Sequence, residues 1–166
     1  YYKEMVEQPR YLSFLEVLEL TYQITAGIAS AHEAGVIHRD IKPENIILCP
    51  MVPGASQQFF YVKIIDFGLA LWVEGTQSDR LTQYALESLG SPPYKSPEQS
   101  SRAGDAHTFA TDVYALGILF YEMIERTQAP SSHHRFYFSR YEEALVWERT
   151  DIPTTFRNLV EQMVQK

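Results

Sequence analysis

Cysteine is nearly absent from this chain: Cys49 is the only one in 166 residues. An internal disulfide is therefore excluded, which fits a reducing, cytoplasmic compartment. No base or cation neighbours Cys49 in the sequence, so it reads as a small residue ending a buried strand rather than as a reactive thiol. A basic excess is missing too, since 14 Lys and Arg stand against 21 Asp and Glu, a net charge of -7. That balance leaves no positive stripe for phosphate backbones and excludes direct nucleic-acid binding. Long apolar runs are also missing. The longest, Val113 to Tyr121, falls far short of the ~20 residues that span a bilayer, so no membrane segment is expected. The pair His133-His134 has no Cys or carboxylate frame around it, and such histidines are solvated more often than metal-bound.

What is present suits one domain with a real core. Residues 1 to 12 read as a connection and a short helix. Ser13 and Glu16 have the spacing of a capping box, in which each side chain satisfies the other's free backbone N–H. A helix is therefore expected to start there, with Val17, Leu20, Ile24, Ile28 and Ala31 as its buried stripe and Gly35 as its stop. Val36-Ile37 reads as a short buried strand. Ile46 to Leu48 and Tyr61 to Ile65 read as paired strands, joined by a turn-rich insertion from Pro50 to Gln58. Glu74 to Arg80 is polar and without period, which predicts a loop. A second buried helix, apolar nearly all round, is expected from Asp112 to Arg126. Two more are expected over Tyr141 to Trp147 and Thr155 to Lys166, the last with Leu159, Val160, Met163 and Val164 as its apolar face.

The chemistry concentrates in His38-Arg39-Asp40-Ile41-Lys42-Pro43-Glu44-Asn45. An acid, a lysine and an asparagine this close together can orient a hydroxyl, neutralise a phosphate and hold a cation, which is what phosphoryl transfer needs. Asp66-Phe67-Gly68 follows, a carboxylate on a glycine-flexed turn that can complete a metal site. Then come Ser96-Pro97-Glu98 and Asp112-Val113-Tyr114-Ala115-Leu116-Gly117. In this order the four motifs resemble the catalytic loop, metal-binding loop, Ala-Pro-Glu segment and buried helix of the eukaryotic-type serine/threonine protein kinases. The resemblance implies a mainly α fold: residues 1–166 as the C-terminal lobe of a kinase, with short β-hairpins at the catalytic and metal-binding loops. Neither a Gly-rich phosphate loop nor a Val-Ala-Ile-Lys-like strand precedes the catalytic loop. The chain therefore reads as a lobe truncated at the front, and just short of the domain end, that is inactive in isolation.

The resemblance also assigns roles. Asp40 would be the catalytic base and Lys42 the phosphate contact, with Asn45 and Asp66 binding Mg2+ and ATP, and Ile47 lying under the adenine or serving as plain core. His38 would pack beneath Phe67 rather than act as a base. Arg39 would receive an anion from the activation segment or make a surface salt bridge. Counting back from Gly90, the activating position falls on Glu87, with Ser88 adjacent, so a fixed charge at Glu87 or a phosphate on Ser88 would meet Arg39. Ser91 would face the substrate and hydrogen-bond Asp40 and Lys42. Glu98 would need an arginine beyond residue 166, and Asp112 would either hold the catalytic loop from below or cap its own helix. Tyr114 stands where the family has tryptophan. The implied partners are ATP, Mg2+ and a protein substrate. The competing expectations are a pseudokinase and a kinase-derived interaction fragment. Within kinases, Ser96-Pro97-Glu98-Gln99 and the tail Asp151-Ile152-Pro153-Thr154-Thr155-Phe156 resemble kinases acting on the alpha subunit of translation initiation factor 2, and the same Ser-Pro-Glu-Gln segment also resembles bacterial-type receptor kinases.

Overall fold

A computed structural model of the chain describes residues 12–50, 60–72, 94–100, 108–125 and 145–165. Helix α1 (Phe14–Glu33) begins where the capping box places it. The Ser13 hydroxyl accepts the Glu16 N–H at 3.3 Å, and Glu16 Oε2 accepts the Ser13 N–H at 2.8 Å. Gly35 follows the helix at a φ of 75°, a left-handed turn that a Cβ would strain. The chain then enters β1 (Val36–Ile37), the loop 38–45 and β2 (Ile46–Pro50). After β2 come β3 (Phe60–Ile64) and β4 (Leu71–Trp72).

The strands pair in two antiparallel sets, β2 with β3 and β1 with β4. Only the first is the hairpin that the sequence predicts. In the second, Val36 faces Trp72 and Ile37 faces Leu71, so two short segments far apart in sequence close around the hairpin. Each has only a few residues, and no local pattern announces such a pairing. Across the hairpin Cys49 faces Tyr61, and a hydrogen bond to the thiol, followed by charge and burial, pushes the phenol above its usual range.

Helix α2 (Pro97–Ser100) is short, and α3 (Phe109–Glu125) forms the centre of the core. Ile24 and Ile28 from α1, Ile118 and Leu119 from α3, and Val160 from α4 (Thr154–Met163) share one apolar cluster. A smaller cluster joins Val17, Ile124 and Ile152. Gly117 lets α3 and α4 touch, because a Cβ there would lie 2.7 Å from Val164 Cγ1 and 2.8 Å from Met163 Cβ.

Several expectations change. Helix α3 starts at Phe109 rather than Asp112, because Thr108 caps it: its hydroxyl accepts the Ala110 N–H at 3.2 Å and its carbonyl accepts the Thr111 N–H at 3.0 Å. Burial of α3 is also incomplete, for Val113 is 37% exposed. Residues 145–147 are not helical. Leu145 and Trp147 face inward while Val146 and Glu148 face out, the period of an extended chain. Side chains of α3 hold that chain in place: Tyr121 donates to Val146 O at 2.6 Å, and the Glu125 carboxylate accepts the N–H groups of Glu148 and Arg149 at 3.2 and 3.3 Å. In α4, Leu159 is 51% exposed and Val160 is fully buried, so Phe156 and Val160, rather than Leu159, form the inner face. Residues 1–11, 51–59 and 126–144 lie outside the described residues, and with them the expected first helix, the insertion and His133-His134.

Two arginines fasten the segment before α4. Arg149 donates to Leu12 O at 2.7 Å, and Arg157 donates to Arg149 O at 2.6 Å and Ile152 O at 3.0 Å. The Arg149 guanidinium hydrogen-bonds Asp151 and holds its carboxyl below the usual range. Its small contribution is present above the ordinary carboxylate pKa and fades as pH falls through the lowered value. No described helix is long and apolar enough to cross a membrane.

Replacing Gly117 with valine should force α3 and α4 apart and destabilise the protein by about 1–3 kcal/mol. A urea midpoint equal to that of wild type would show that the helices are not in contact at this point.

Candidate functional site

The loop 38–45 hangs between β1 and β2 over the first turn of α3. Asp112 lies in that turn with 1% of its surface exposed. Its Oδ1 accepts the Arg39 N–H at 2.8 Å, and its Oδ2 accepts the His38 N–H at 2.8 Å and His32 Nε2–H at 2.8 Å. A buried carboxylate is costly unless donors surround it. Here two of the donors are the backbone of the loop itself. The helix-capping alternative for Asp112 therefore does not hold, since Thr108 occupies that role.

His38 is fully buried, with its ring centroid 4.5 Å from that of Phe67. Its Nδ1 accepts the Asp40 N–H at 3.3 Å, which places its proton on Nε2, 3.2 Å from Ile65 O. Both ring nitrogens are thus engaged with backbone, and the packing role expected for His38 is the one seen. Arg39 adopts a φ of 71° and is buried, which removes the surface salt-bridge alternative.

On the other side of Arg39, three side chains meet at one oxygen. Asp40 Oδ2 accepts Lys42 Nζ at 2.6 Å and Asn45 Nδ2 at 3.3 Å, and Asn45 Nδ2 also donates to Asp40 O at 2.8 Å. The inward-facing amide nitrogen fixes the Asn45 rotamer and turns its carbonyl oxygen the other way. Pro43 starts the 3-10 turn Pro43–Asn45 that allows this return. Asn45 O accepts the Ile65 N–H at 3.0 Å, so the next residue, Asp66, enters beside Asn45. Asp66 is exposed and left-handed, with φ 63° and ψ 66°, and its Oδ1 accepts the Gly68 N–H at 3.2 Å. A Cβ on Gly68 would meet that same oxygen at 2.9 Å. Ile47 is 41% exposed on β2, more open than plain core. Ser91, Glu87 and Ser88 lie outside the described residues.

Among the described residues no group of three or more His, Cys, Asp and Glu side chains could hold a metal ion unaided. The oxygens of Asn45 and Asp66 are hard donors of the sort Mg2+ takes when phosphates supply the rest of its shell.

A protein kinase domain family model matches residues 2–166. Serine/threonine-protein kinase pkn3 of Myxococcus xanthus is 36% identical over 108 residues, covering 65% of this chain and 19% of that protein. Serine/threonine-protein kinase pkn2 of the same bacterium is 35% identical over 107 residues, covering 64% of this chain and 12% of that protein. This chain belongs to the protein kinase domain family.

Within this kinase chain, several residues support the loop without standing out in the sequence. Gln99 donates to Arg39 O at 2.9 Å while its Oε1 accepts the Ser96 N–H at 3.0 Å. The Ser96-x-x-Gln99 spacing is a capping-box signal that could have pointed to α2. Glu98, expected to pair with an arginine beyond residue 166, accepts the Thr111 hydroxyl within this chain at 2.9 Å and is half-buried. Tyr94 donates its hydroxyl to Glu122 inside the core. No spacing rule links Tyr94 to Glu122 or His32 to Asp112.

Replacing Asp112 with alanine removes the acceptor of two buried amides and should cost about 3–5 kcal/mol. Amide exchange across residues 36–42 should accelerate with it. Unchanged exchange there would show that the loop is held by something else.

Proposed function

We propose that this chain forms the catalytic lobe of an ATP-dependent protein kinase that phosphorylates serine or threonine hydroxyls. The observation that carries this reading is the meeting of Lys42 and Asn45 on Asp40 Oδ2, at 2.6 and 3.3 Å. A carboxylate held this way can align a substrate hydroxyl and accept its proton as the phosphoryl group arrives. Lys42, tethered to Asp40 and partly exposed, provides positive charge where the transferred phosphoryl would lie. Asn45 and Asp66 would present oxygen to magnesium. When bound, the ion neutralises charge on the transferring phosphates. Ile47, open on the face of β2, supports an adenine contact. Ser91 would hold Asp40 and Lys42 from the substrate side. Arg39 would take an anion from the activation segment, either Glu87 or phosphorylated Ser88.

The chain spans 19% and 12% of the two bacterial relatives, so the assay belongs to the complete gene product. With magnesium and ATP it should phosphorylate a protein on serine or threonine. Replacing Asp40 with asparagine should lower kcat about 10²–10⁴-fold while ATP binding stays within a few-fold. Activity that survives that substitution would overturn the assignment of Asp40, and absence of transfer by the wild type would overturn the reading as a whole.

A finer test lies at Gly68. Alanine there pushes on Asp66 Oδ1, so the magnesium concentration giving half-maximal activity should rise several-fold with the melting temperature unmoved. An unchanged magnesium requirement would remove Asp66 from the metal site.

A further inference from the structure

Gln99 is the third residue of α2, and its amide has two tasks. Its Oε1 accepts the Ser96 N–H at 3.0 Å and the Ser96 hydroxyl at 3.3 Å, which closes the cap of that short helix. Its Nε2 donates across 60 positions of sequence to Arg39 O at 2.9 Å. The amide cannot be turned over, because a carbonyl facing Arg39 O and an NH2 facing the Ser96 N–H would set acceptor against acceptor and donor against donor. At the start of α1 the same cap uses a carboxylate, Glu16, on the Ser13 N–H. A carboxylate at position 99 would cap α2 equally well, but it would bring no donor to Arg39 O. Only the amide does both, and this connects Gln99 with the loop 38–45 as well as with its own helix.

Arg39 O belongs to the peptide that precedes Asp40. The N–H of that peptide donates to His38 Nδ1 at 3.3 Å, so Gln99 and His38 hold its two ends. A planar peptide pinned at both ends fixes ψ of Arg39 and φ of Asp40, and these set where the Asp40 side chain points. Arg39 itself stands at a φ of 71°, which a non-glycine residue keeps only when its surroundings enforce it. The bond from Gln99 is the shorter of the two, and it comes from outside the loop. Helix α2 is in turn bound to α3, since Glu98 accepts the Thr111 hydroxyl at 2.9 Å and Tyr94, just before α2, donates to Glu122. We propose that Gln99 is a positioning residue for phosphoryl transfer: it locks the Arg39–Asp40 peptide to α2, so that the direction of Asp40 follows the seating of α2 on α3. The catalytic consequence rests on the kinase reading above, whereas the lock on the peptide does not.

The test uses the complete protein with two substitutions. Gln99→Glu keeps the acceptor for Ser96 and sets an oxygen against Arg39 O. Gln99→Met keeps the length of the side chain and removes donor and acceptor together, and it carries the test should Gln99→Glu fail to fold. Below the melting temperature of each variant, both should lower kcat about tenfold or more with the KM for ATP within twofold. The Asp40 N–H should exchange faster in both. The Ser96 N–H separates the two tasks: its exchange should stay at the wild-type rate in Gln99→Glu and rise in Gln99→Met. Gln99→Glu with wild-type kcat and wild-type exchange at Asp40 would overturn the proposal, whatever its melting temperature. So would a loss confined to Gln99→Met, which would trace the effect to the cap of α2, or faster exchange at Asp40 with kcat unmoved, which would reduce Gln99 to a structural residue. Exchange is read without catalysis. A wild type that transfers no phosphate while Gln99→Glu frees the Asp40 N–H upholds the lock and sinks the kinase reading alone. An active enzyme whose Asp40 exchange is unmoved in both variants sinks the lock alone.

Discussion

A carboxylate withdrawn from water must find donors or give up its charge, and Asp112 finds them in the backbone of another part of the chain. That requirement ties α3 to the loop 38–45. The loop cannot leave without stranding the acid, and α3 cannot shift without releasing two amides from their acceptor. The left-handed conformation at Arg39 depends on this mutual constraint. So does the placement of Asp40 one residue later, since a displaced peptide would swing its side chain away from Lys42 and Asn45.

The rest of the fold serves to keep α3 where it is. Helix α1 packs along it through Ile24 and Ile28 and contributes His32, while α4 approaches closely enough that Gly117 has no room for a side chain. Glu125 and Tyr121 hold the extended segment before α4, and Gln99 reaches back from α2 to Arg39 O. The hairpin β2–β3 then sets the second half of the site. Its first rung places Ile65 against Asn45, which brings the Asp66 turn to the loop 38–45, where the His38 ring meets Phe67 and Ile65 O.

Much of this is legible in the residues. The capping box at Ser13, the stripe along α1 and the strands around Cys49 rest on local periodicity and local hydrogen bonds, and each stands where the pattern places it. The same rules fail where a long-range partner decides. Tyr141 to Trp147 reads as a helix, yet residues 145–147 run extended, with Tyr121 of α3 donating to Val146 O and Glu125 of α3 accepting the N–H groups of Glu148 and Arg149 just beyond. Thr108 rather than Asp112 begins α3, because the carboxylate is claimed by the loop. Glu98 meets Thr111, a threonine that no motif marks.

The sequence by itself determined the family, the order of its motifs and which side chains are the candidates proposed to align a hydroxyl and hold a cation, because these depend on residue type and short spacing. Only the tertiary structure decided which of those side chains meet at one oxygen, that His38 uses both ring nitrogens on backbone, and that His32 and Asp112 share a bond across the core. The physical reason is that a buried hydrogen bond between distant residues is set by the packing of whole helices, and it leaves no period in the chain for a reader to find.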